Sequence, residues 1–428
     1  MISESMDIDT NRINIATLSN GITLVYLPTD SKRVRIVVGT PAGEWSDPKD
    51  KEGLGHFAEH VFSGKESGGV YRFAAKLLRM KLKGNAANSS ELTWFHMRGP
   101  DSSSLEGALE LLAKSLIEPP NEREIELHRG IIGSELVGYC GDHEKVRSWG
   151  LDLFHRVEEN LLSANIRDLS AINLLDLEAW HRQHITGSRM FAAIYGAIDD
   201  NIVTIAEKHL GRIPNGQEKV QLEPSCPIIR TPVSRYLQFT STPPVFDAAI
   251  SYIFQTERRD PKMEATLRVL GSAMGGSEAG LLVKHLRGQE GISYDAAGGF
   301  ERCSRMGDSI DLNCYCVEPN ARTAVKGIER VVRTIKERQL GPEELRLAKE
   351  EATGELEDFL EEDDGLGIML GEHVLWGRAL PHELYAAIDG VTAEEVYAAA
   401  NAQLNGNHAT IIVGSEAAKE RLSEFSVD

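Results

Sequence analysis

The order of predicted strands and helices repeats once along this chain of 428 residues, a length that is too great for one ordinary core. Strands, a helix that follows a glycine turn, and further strands and helices precede residue 216, and a similar order begins again after residue 232. The segment between them, 216–232, is polar and contains three prolines, which is typical of a linker. We therefore predict an α+β fold with two homologous domains, 1–215 and 233–428, each a mostly antiparallel sheet packed with helices.

Three stretches indicate how these domains are built. The pair Asn20-Gly21 favours a tight turn in a hairpin within residues 13–40. Residues 85–97 are interpreted as a loop followed by a strand that contains Thr93. That strand is either an exposed edge, with which an extended peptide can pair, or an ordinary interior strand. The acidic run Glu355 to Asp364 is interpreted as the solvated end of a helix.

Two histidines and a glutamate form the strongest chemical pattern. His56 and His60 are four residues apart with Glu59 between them, so on a helix both imidazoles lie on one face, one turn apart. Two imidazoles in this arrangement can bind one zinc ion, and a nearby carboxylate outside the metal shell can accept a proton from the zinc-bound water. The order His-x-x-Glu-His marks the inverted zinc enzymes. The alternative is a helix whose histidines only cap it or pack in the core.

A predicted helix at residues 122–139 provides a candidate third ligand. The helix begins acidic and becomes apolar, and Glu135 lies in its apolar part. A carboxylate among isoleucine and leucine is costly to bury unless it is paired or binds a metal ion. His128 lies seven residues earlier, two turns back on the same face, so it could also face the metal site.

Composition narrows the possible functions and partners. A net charge of −19 argues against a nucleic-acid-binding protein, whose binding surface should be basic. No apolar run approaches the length of a membrane span, and the acidic N-terminus resembles neither a secretory signal nor a mitochondrial transit peptide. Five cysteines without a Cys-x-x-Cys pair indicate reduced thiols, so we expect a cytoplasmic protein that partners neither membranes nor nucleic acid.

These residues together resemble the pitrilysin/insulinase family of inverted zinc peptidases (M16), in the two-domain form that includes mitochondrial processing peptidase. The resemblance covers nearly the whole chain. It rests on five motifs, Leu18 to Leu24, Gly53 to His60, Asn85-Ala86 followed by Thr93, Ile131 to Glu135, and Leu286 to Tyr294.

The resemblance implies a role for each candidate metal residue. His56, His60 and Glu135 would hold one zinc ion per chain, and Glu59 would be the general base and later the proton donor. The family usually has a second glutamate at the position of His128, where it supports the zinc ligand. His128 is therefore a possible supporting residue, and metal affinity or rate could differ here.

The resemblance also implies how substrate is held. Asn85, Ala86, Ala87 and Thr93 would belong to the element that pairs with an extended peptide. Arg287 and Tyr294 would reach the site from the second domain, where Tyr294 donates to the oxyanion and Arg287 holds substrate carbonyl groups. From the residues alone, a helix-end arginine and a strand tyrosine are more often structural.

The function that follows is a zinc-dependent endopeptidase that hydrolyses short or unfolded peptides, or a leader peptide. One such chain would form half of a clamshell chamber, so the resemblance implies a homodimer or a heterodimer with a related M16 chain. The alternative is a non-catalytic M16-like scaffold or assembly subunit of a larger complex.

Overall fold

The structure is a computed structural model. It describes residues 12–48, 51–63, 70–139, 167–216, 233–238, 248–256, 260–276, 279–302, 308–405 and 408–414. Within these ranges the fold is α+β with mostly antiparallel sheets, as predicted. Most of the predicted linker, residues 217–232, lies outside the described residues, so the boundary at 216–232 stays a prediction.

The regular elements alternate along the chain. The strands are β1 Asn14–Thr17, β2 Thr23–Pro28, β3 Val34–Thr40, β4 Lys83–Asn88, β5 Thr93–Gly99, β6 Phe191–Gly196, β7 Val233–Gln238, β8 Ala248–Thr256, β9 Ala296–Glu301, β10 Asp308–Cys316 and β11 Ala409–Gly414. The main helices are α1 Leu54–Phe62, α2 Val70–Arg79, α3 Leu105–Ile117, α4 Glu122–Tyr139, α5 Leu174–His184, α6 Ile202–Leu210, α7 Pro261–Gly275, α8 Leu281–Val283, α9 Ala321–Glu337, α10 Pro342–Glu361, α11 Gly365–Trp376, α12 Pro381–Asp389 and α13 Ala393–Gln403.

The chain divides into two compact units, each built around one sheet. Unit 1 contains residues 1–133, 165–223 and 358–382, and unit 2 contains residues 134–164, 224–357 and 383–428. The strand order is β1-β2-β6-β3-β5-β4 in unit 1 and β7-β11-β8-β10-β9 in unit 2. Apart from β1, the two orders correspond strand for strand, and the pairs β2–β6 and β7–β11 are both parallel. This correspondence agrees with two homologous domains.

The turn at Asn20-Gly21 forms as predicted. It joins β1 to β2, which pair in antiparallel register from Asn14 opposite Tyr26 to Thr17 opposite Thr23. Gly21 has a φ angle of 94°, a left-handed conformation that glycine adopts without strain. β2 and β3 do not pair with each other, because β6 lies between them.

Helix α11 packs on the sheet of unit 1, although it follows most of unit 2 in the chain. A Cβ atom added at Gly367 or at Gly371 would lie 2.2 Å from Val37 or from the Phe191 ring, so only glycines permit this close approach. The loop before α11 is also bound to the sheet, because Trp94 Nε1 donates to Asp364 Oδ2 at 2.6 Å.

The interpretation of Glu355 to Asp364 as a solvated helix end is wrong at Glu355, which is half-buried, and at the last two residues. Asp363 forms an ion pair with Arg98, and only 13% of the Asp364 side chain is exposed. These two carboxylates can lie against the sheet because side chains on β5 neutralise or hydrogen-bond them.

The described residues also bear on the cysteines and on membrane-spanning helices. Cys314 and Cys316 are buried on β10 and are not joined by a disulfide bond, whereas Cys140, Cys226 and Cys303 lie outside the described residues. None of the helices in the described ranges is both long and apolar enough to cross a membrane.

Candidate active site

Helix α1 begins at a defined point because Asp47 binds its first turn. Asp47 Oδ2 accepts a hydrogen bond from Gly53 N at 2.8 Å, and Oδ1 accepts one from Gly55 N at 2.9 Å. These N–H groups have no partner within the helix, so the carboxyl group satisfies them. Burial raises the pKa of Asp47 to about 8, against the opposing effect of the backbone N–H groups of Gly53, Leu54 and Gly55. The local sequence does not identify Asp47, because its only sign is an acid six residues before Gly53.

The predicted metal residues of α1 are brought together. His56 Nε2 and His60 Nε2 are 3.1 Å apart, and their ring centroids are separated by 4.8 Å. Glu59 is buried, and its Oε2 lies 3.8 Å from His60 Nε2. Each of these three residues offers a ligand atom within 4.8 Å of the other two. The helix therefore presents two imidazole nitrogens and a carboxylate toward one point.

The nitrogen spacing fits one zinc ion. Two imidazole nitrogens bound to the same tetrahedral zinc ion are about 3.3 Å apart, given zinc–nitrogen bonds of about 2.0–2.1 Å. The observed separation of 3.1 Å between His56 Nε2 and His60 Nε2 needs only a small adjustment to reach this value. Both nitrogens must be unprotonated to bind, so each ring would carry its proton on Nδ1.

Helix α4 places His128 beside the histidines of α1. The ring centroids of His60 and His128 are 5.9 Å apart with an edge-to-face arrangement. His128 is buried, and burial lowers its pKa, with a further lowering from His60 and an opposing effect from Glu124. A neutral imidazole at this position adds no positive charge next to a candidate cation site.

Glu135 lies two helical turns after His128 on α4 and is half-buried. It is not one of the three residues in the compact group on α1. Its role as the third zinc ligand stays a prediction. The guanidinium of Arg129, on the same helix, lies 5.5 Å from the Phe57 ring and so packs the start of α4 against α1.

In this part of the sheet the edge strand is β4, not the strand that follows it. Residues 85–88 belong to β4, so their interpretation as a loop is wrong, and within the described residues β4 pairs only with β5. β5 lies between β3 and β4 and is an interior strand. On β4, Asn85 is exposed, Ala86 is buried and Ala87 is half-buried. The edge available to a peptide therefore carries Asn85, Ala86 and Ala87.

Thr93 connects the end of β4 to the segment that follows β3. It is fully buried, its Oγ1 donates to Ala42 O at 2.8 Å, and the same oxygen accepts from Asn88 Nδ2 at 2.6 Å. A Cβ atom at Gly55 would lie 3.0 Å from Asn88 Nδ2, so the glycine lets α1 approach the end of β4 closely. Contact of Thr93 with substrate stays a prediction.

Arg287 and Tyr294 meet each other in unit 2. Arg287 Cζ lies 4.4 Å from the centroid of the Tyr294 ring, a cation–π contact, and Tyr294 is 76% exposed. Arg287 belongs to a π-helical turn, Lys284–Gln289, which directly follows α8. Ser293 Oγ donates to Tyr315 O at 2.7 Å and anchors the segment before Tyr294 to β10. Their action at the metal residues of unit 1 stays a prediction.

Family models match both halves of the chain. A model of the insulinase family (peptidase family M16) matches residues 24–147, which include the α1 residues and Glu135. A second model, described as the peptidase M16 inactive domain, matches residues 171–352, which include Arg287 and Tyr294. A protein of Mycobacterium leprae (strain TN) named as an uncharacterized zinc protease is 25% identical over 429 residues, which cover 95% of this chain and 92% of the relative.

Solved structures share the fold. A structure described as the peptidase M16 inactive domain from Pseudomonas fluorescens superposes with a TM-score of 0.80 at 17% identity, over 94% of this chain and 98% of that chain. Pitrilysin superposes with a TM-score of 0.70 at 16% identity, over 97% of this chain but only 46% of its own. This chain thus corresponds to about half of pitrilysin.

Proposed function

Because the chain belongs to the M16 family of insulinase-like peptidases, we propose that it is a zinc-dependent endopeptidase that hydrolyses short or unfolded peptides, or a leader peptide. The observation that carries the proposal is the convergence of His56, Glu59 and His60 on α1 at a spacing that suits one zinc ion. The name "inactive domain" does not conflict with it, because that model matches 171–352, which excludes these residues.

The residues of α1 and α4 would have separate roles in metal binding and proton transfer. His56, His60 and Glu135 would hold the metal ion, which supplies Lewis acidity toward a water molecule and the scissile carbonyl group. Glu59 would accept the proton of the attacking water at Oε2 and later deliver it to the leaving amine nitrogen. His128, neutral and buried, would hold the ring of His60 in place by packing against it.

Substrate would bind as an added strand on β4. Within the described residues, the outer edge of β4 offers main-chain groups to an extended peptide, and a short or unfolded peptide can readily adopt the extended conformation that this pairing requires. Asn85, Ala86 and Ala87 would line this strand. Tyr294 would donate to the carbonyl oxygen as it gains negative charge, and Arg287 would hold neighbouring carbonyl groups.

We also propose a dimer, of this chain with itself or with a related M16 chain. The support is that the chain corresponds to 46% of pitrilysin, so two copies would match that longer chain. Cys314 and Cys316 are buried thiols that form no disulfide bond, which suits a reducing compartment such as the cytoplasm. Light scattering of the native protein would test the dimer, and a monomeric mass at working concentration would contradict it.

Replacement of Glu59 by glutamine tests the mechanism. Glu59→Gln should retain zinc and fold, but lose about 100- to 10,000-fold in kcat/KM on an unstructured peptide library, because the amide cannot accept the proton. Glu122→Gln, which removes an exposed carboxylate at the start of α4, is the matched control and should cleave like wild type. Zinc is measured by atomic spectroscopy and cleavage by mass spectrometry. Full cleavage by Glu59→Gln would refute the mechanism, and wild-type protein that neither binds zinc nor cleaves would favour the scaffold alternative.

A further inference from the structure

Unit 2 contains a cavity that the proposed peptidase chemistry does not use. Its volume is about 520 Å³, and it lies against β8, the second half of α9 and the residues that follow α13. This volume is within the range of small-molecule sites, which is about 300–1,000 Å³. It is too small for a folded partner and suits a ligand of one or two amino acids.

One wall of the cavity is aromatic. The rings of Tyr252 and His408 are stacked, with centroids 4.9 Å apart and an interplanar angle of 15°. The Phe254 ring centroid is 5.2 Å from that of His408. Burial raises the pKa of Tyr252 to about 12, so its phenol is neutral at physiological pH. This wall offers a planar aromatic surface for another ring.

The part of the lining that lies on α9 carries charged side chains without ion-pair partners in the described ranges. Glu329 and Arg333 also line the cavity and are four residues apart on α9, which is the favourable spacing for a helical ion pair. Yet among the described residues neither of them forms an ion pair, and neither does Glu337. The next helix behaves differently, because Arg346 on α10 pairs with carboxylates three residues before it and four residues after it.

Lys336 has a structural part in this region of the lining. Its Nζ donates to Leu404 O at 2.8 Å and so ties the end of α9 to the end of α13. Lys336 keeps its positive charge, so the lining carries two cations, Arg333 and Lys336, and two carboxylates, Glu329 and Glu337. These four charges sum to zero, so the lining suits a ligand with both signs better than a polyanion, and a purely apolar ligand would leave Arg333 and both carboxylates without an ion-pair partner.

We propose that this cavity binds a small aromatic zwitterion, either a free aromatic amino acid or a short peptide that ends in one. The ring lies on the wall formed by Tyr252 and His408. The carboxylate binds the planar fork of Arg333, and the ammonium group lies near Glu329. Products of peptide hydrolysis have this chemistry, but the binding site does not require the chain to be a peptidase.

Calorimetric titration of the full chain with L-tryptophan and with glycyl-tryptophan tests the proposal. We expect saturable binding of one ligand per chain, and the tighter of the two probes identifies the source of the ligand. N-acetyl-tryptophan lacks the ammonium group and tryptamine lacks the carboxylate, so each should bind at least about tenfold more weakly. No saturable binding of either zwitterion up to about 10 mM would overturn the proposal.

Variants separate the cavity from nonspecific binding. Arg333→Gln should weaken the binding of L-tryptophan by about tenfold or more, because a charged hydrogen-bond partner is lost. Lys326→Gln removes the same charge from an exposed position on α9 outside the cavity and should leave the affinity unchanged. Val332→Trp should abolish binding by filling the cavity. Equal affinity for wild type and Arg333→Gln would overturn the proposal.

Discussion

Replacement of Asp47 by alanine should weaken zinc binding although Asp47 does not touch the metal residues. The side chain accepts two hydrogen bonds from the first turn of α1, at 2.8 and 2.9 Å. At pH 6 the carboxyl group is largely protonated, since burial raises its pKa to about 8. Removing two neutral hydrogen bonds of about 1 kcal/mol each should therefore destabilise the first turn of α1 by about 1–2 kcal/mol. This value agrees with the usual cost of removing a helix cap.

This destabilisation should affect zinc binding because His56, the third residue of α1, lies in the first turn. His60 lies in the last turn of the helix and is not affected directly. If the first turn frays, zinc binding must restore it, and the affinity should fall by about 5- to 30-fold. Competition with a chromophoric chelator at pH 6 measures this change. Asp260→Ala is the control, because Asp260 caps α7 in the same way, accepting from Met263 N at 2.8 Å. It should reduce stability by about 1 kcal/mol and leave zinc affinity unaltered. Wild-type zinc affinity in Asp47→Ala would refute the reasoning.

Two further predictions concern pH and metal. Burial raises the pKa of Glu355 to about 7, so between about pH 4.5 and 7 the folded chain holds a proton that the unfolded chain has released. The free energy of unfolding should therefore fall by about 2–3 kcal/mol as pH rises through this window. In Glu355→Gln this fall should be absent, and urea unfolding at several pH values measures it in both proteins. An equally steep fall in the variant would contradict the assignment to Glu355. Zinc at a hundredfold excess over its dissociation constant should add about 2.7 kcal/mol to the unfolding free energy of wild type. His60→Ala should lose most of this gain, and an equal zinc effect on the melting of both proteins would show that zinc binds elsewhere.

Local patterns in the sequence predicted the parts of the site that depend on neighbours in the chain. The four-residue spacing of His56 and His60 places their nitrogens together on any helix, and Asn20-Gly21 turns the chain wherever the flanking strands pair. These features need no knowledge of the sheet order.

Features that depend on distant pairing do not follow from local patterns. Which strand lies at the edge is decided by the sheet order, so the sequence favours a loop at residues 85–88 although they form the edge strand β4. The sequence likewise predicts a solvated Asp364, because its partners, Trp94 and His96, are about 270 residues away in the chain. Asp47 has no periodic pattern, and only the observed hydrogen bonds to Gly53 and Gly55 identify its role.

The assignment of α11 to unit 1 has a consequence for synthesis on the ribosome. The last strand of that sheet, β6, ends at Gly196, but the helix that covers Val37 and Phe191 ends only at Trp376. At about 5–20 residues per second, roughly 10 to 35 seconds of translation separate the two. During this interval the nascent first half presents an uncovered apolar sheet face. The N-terminal half is therefore expected to depend on chaperones until nearly the whole chain has been made.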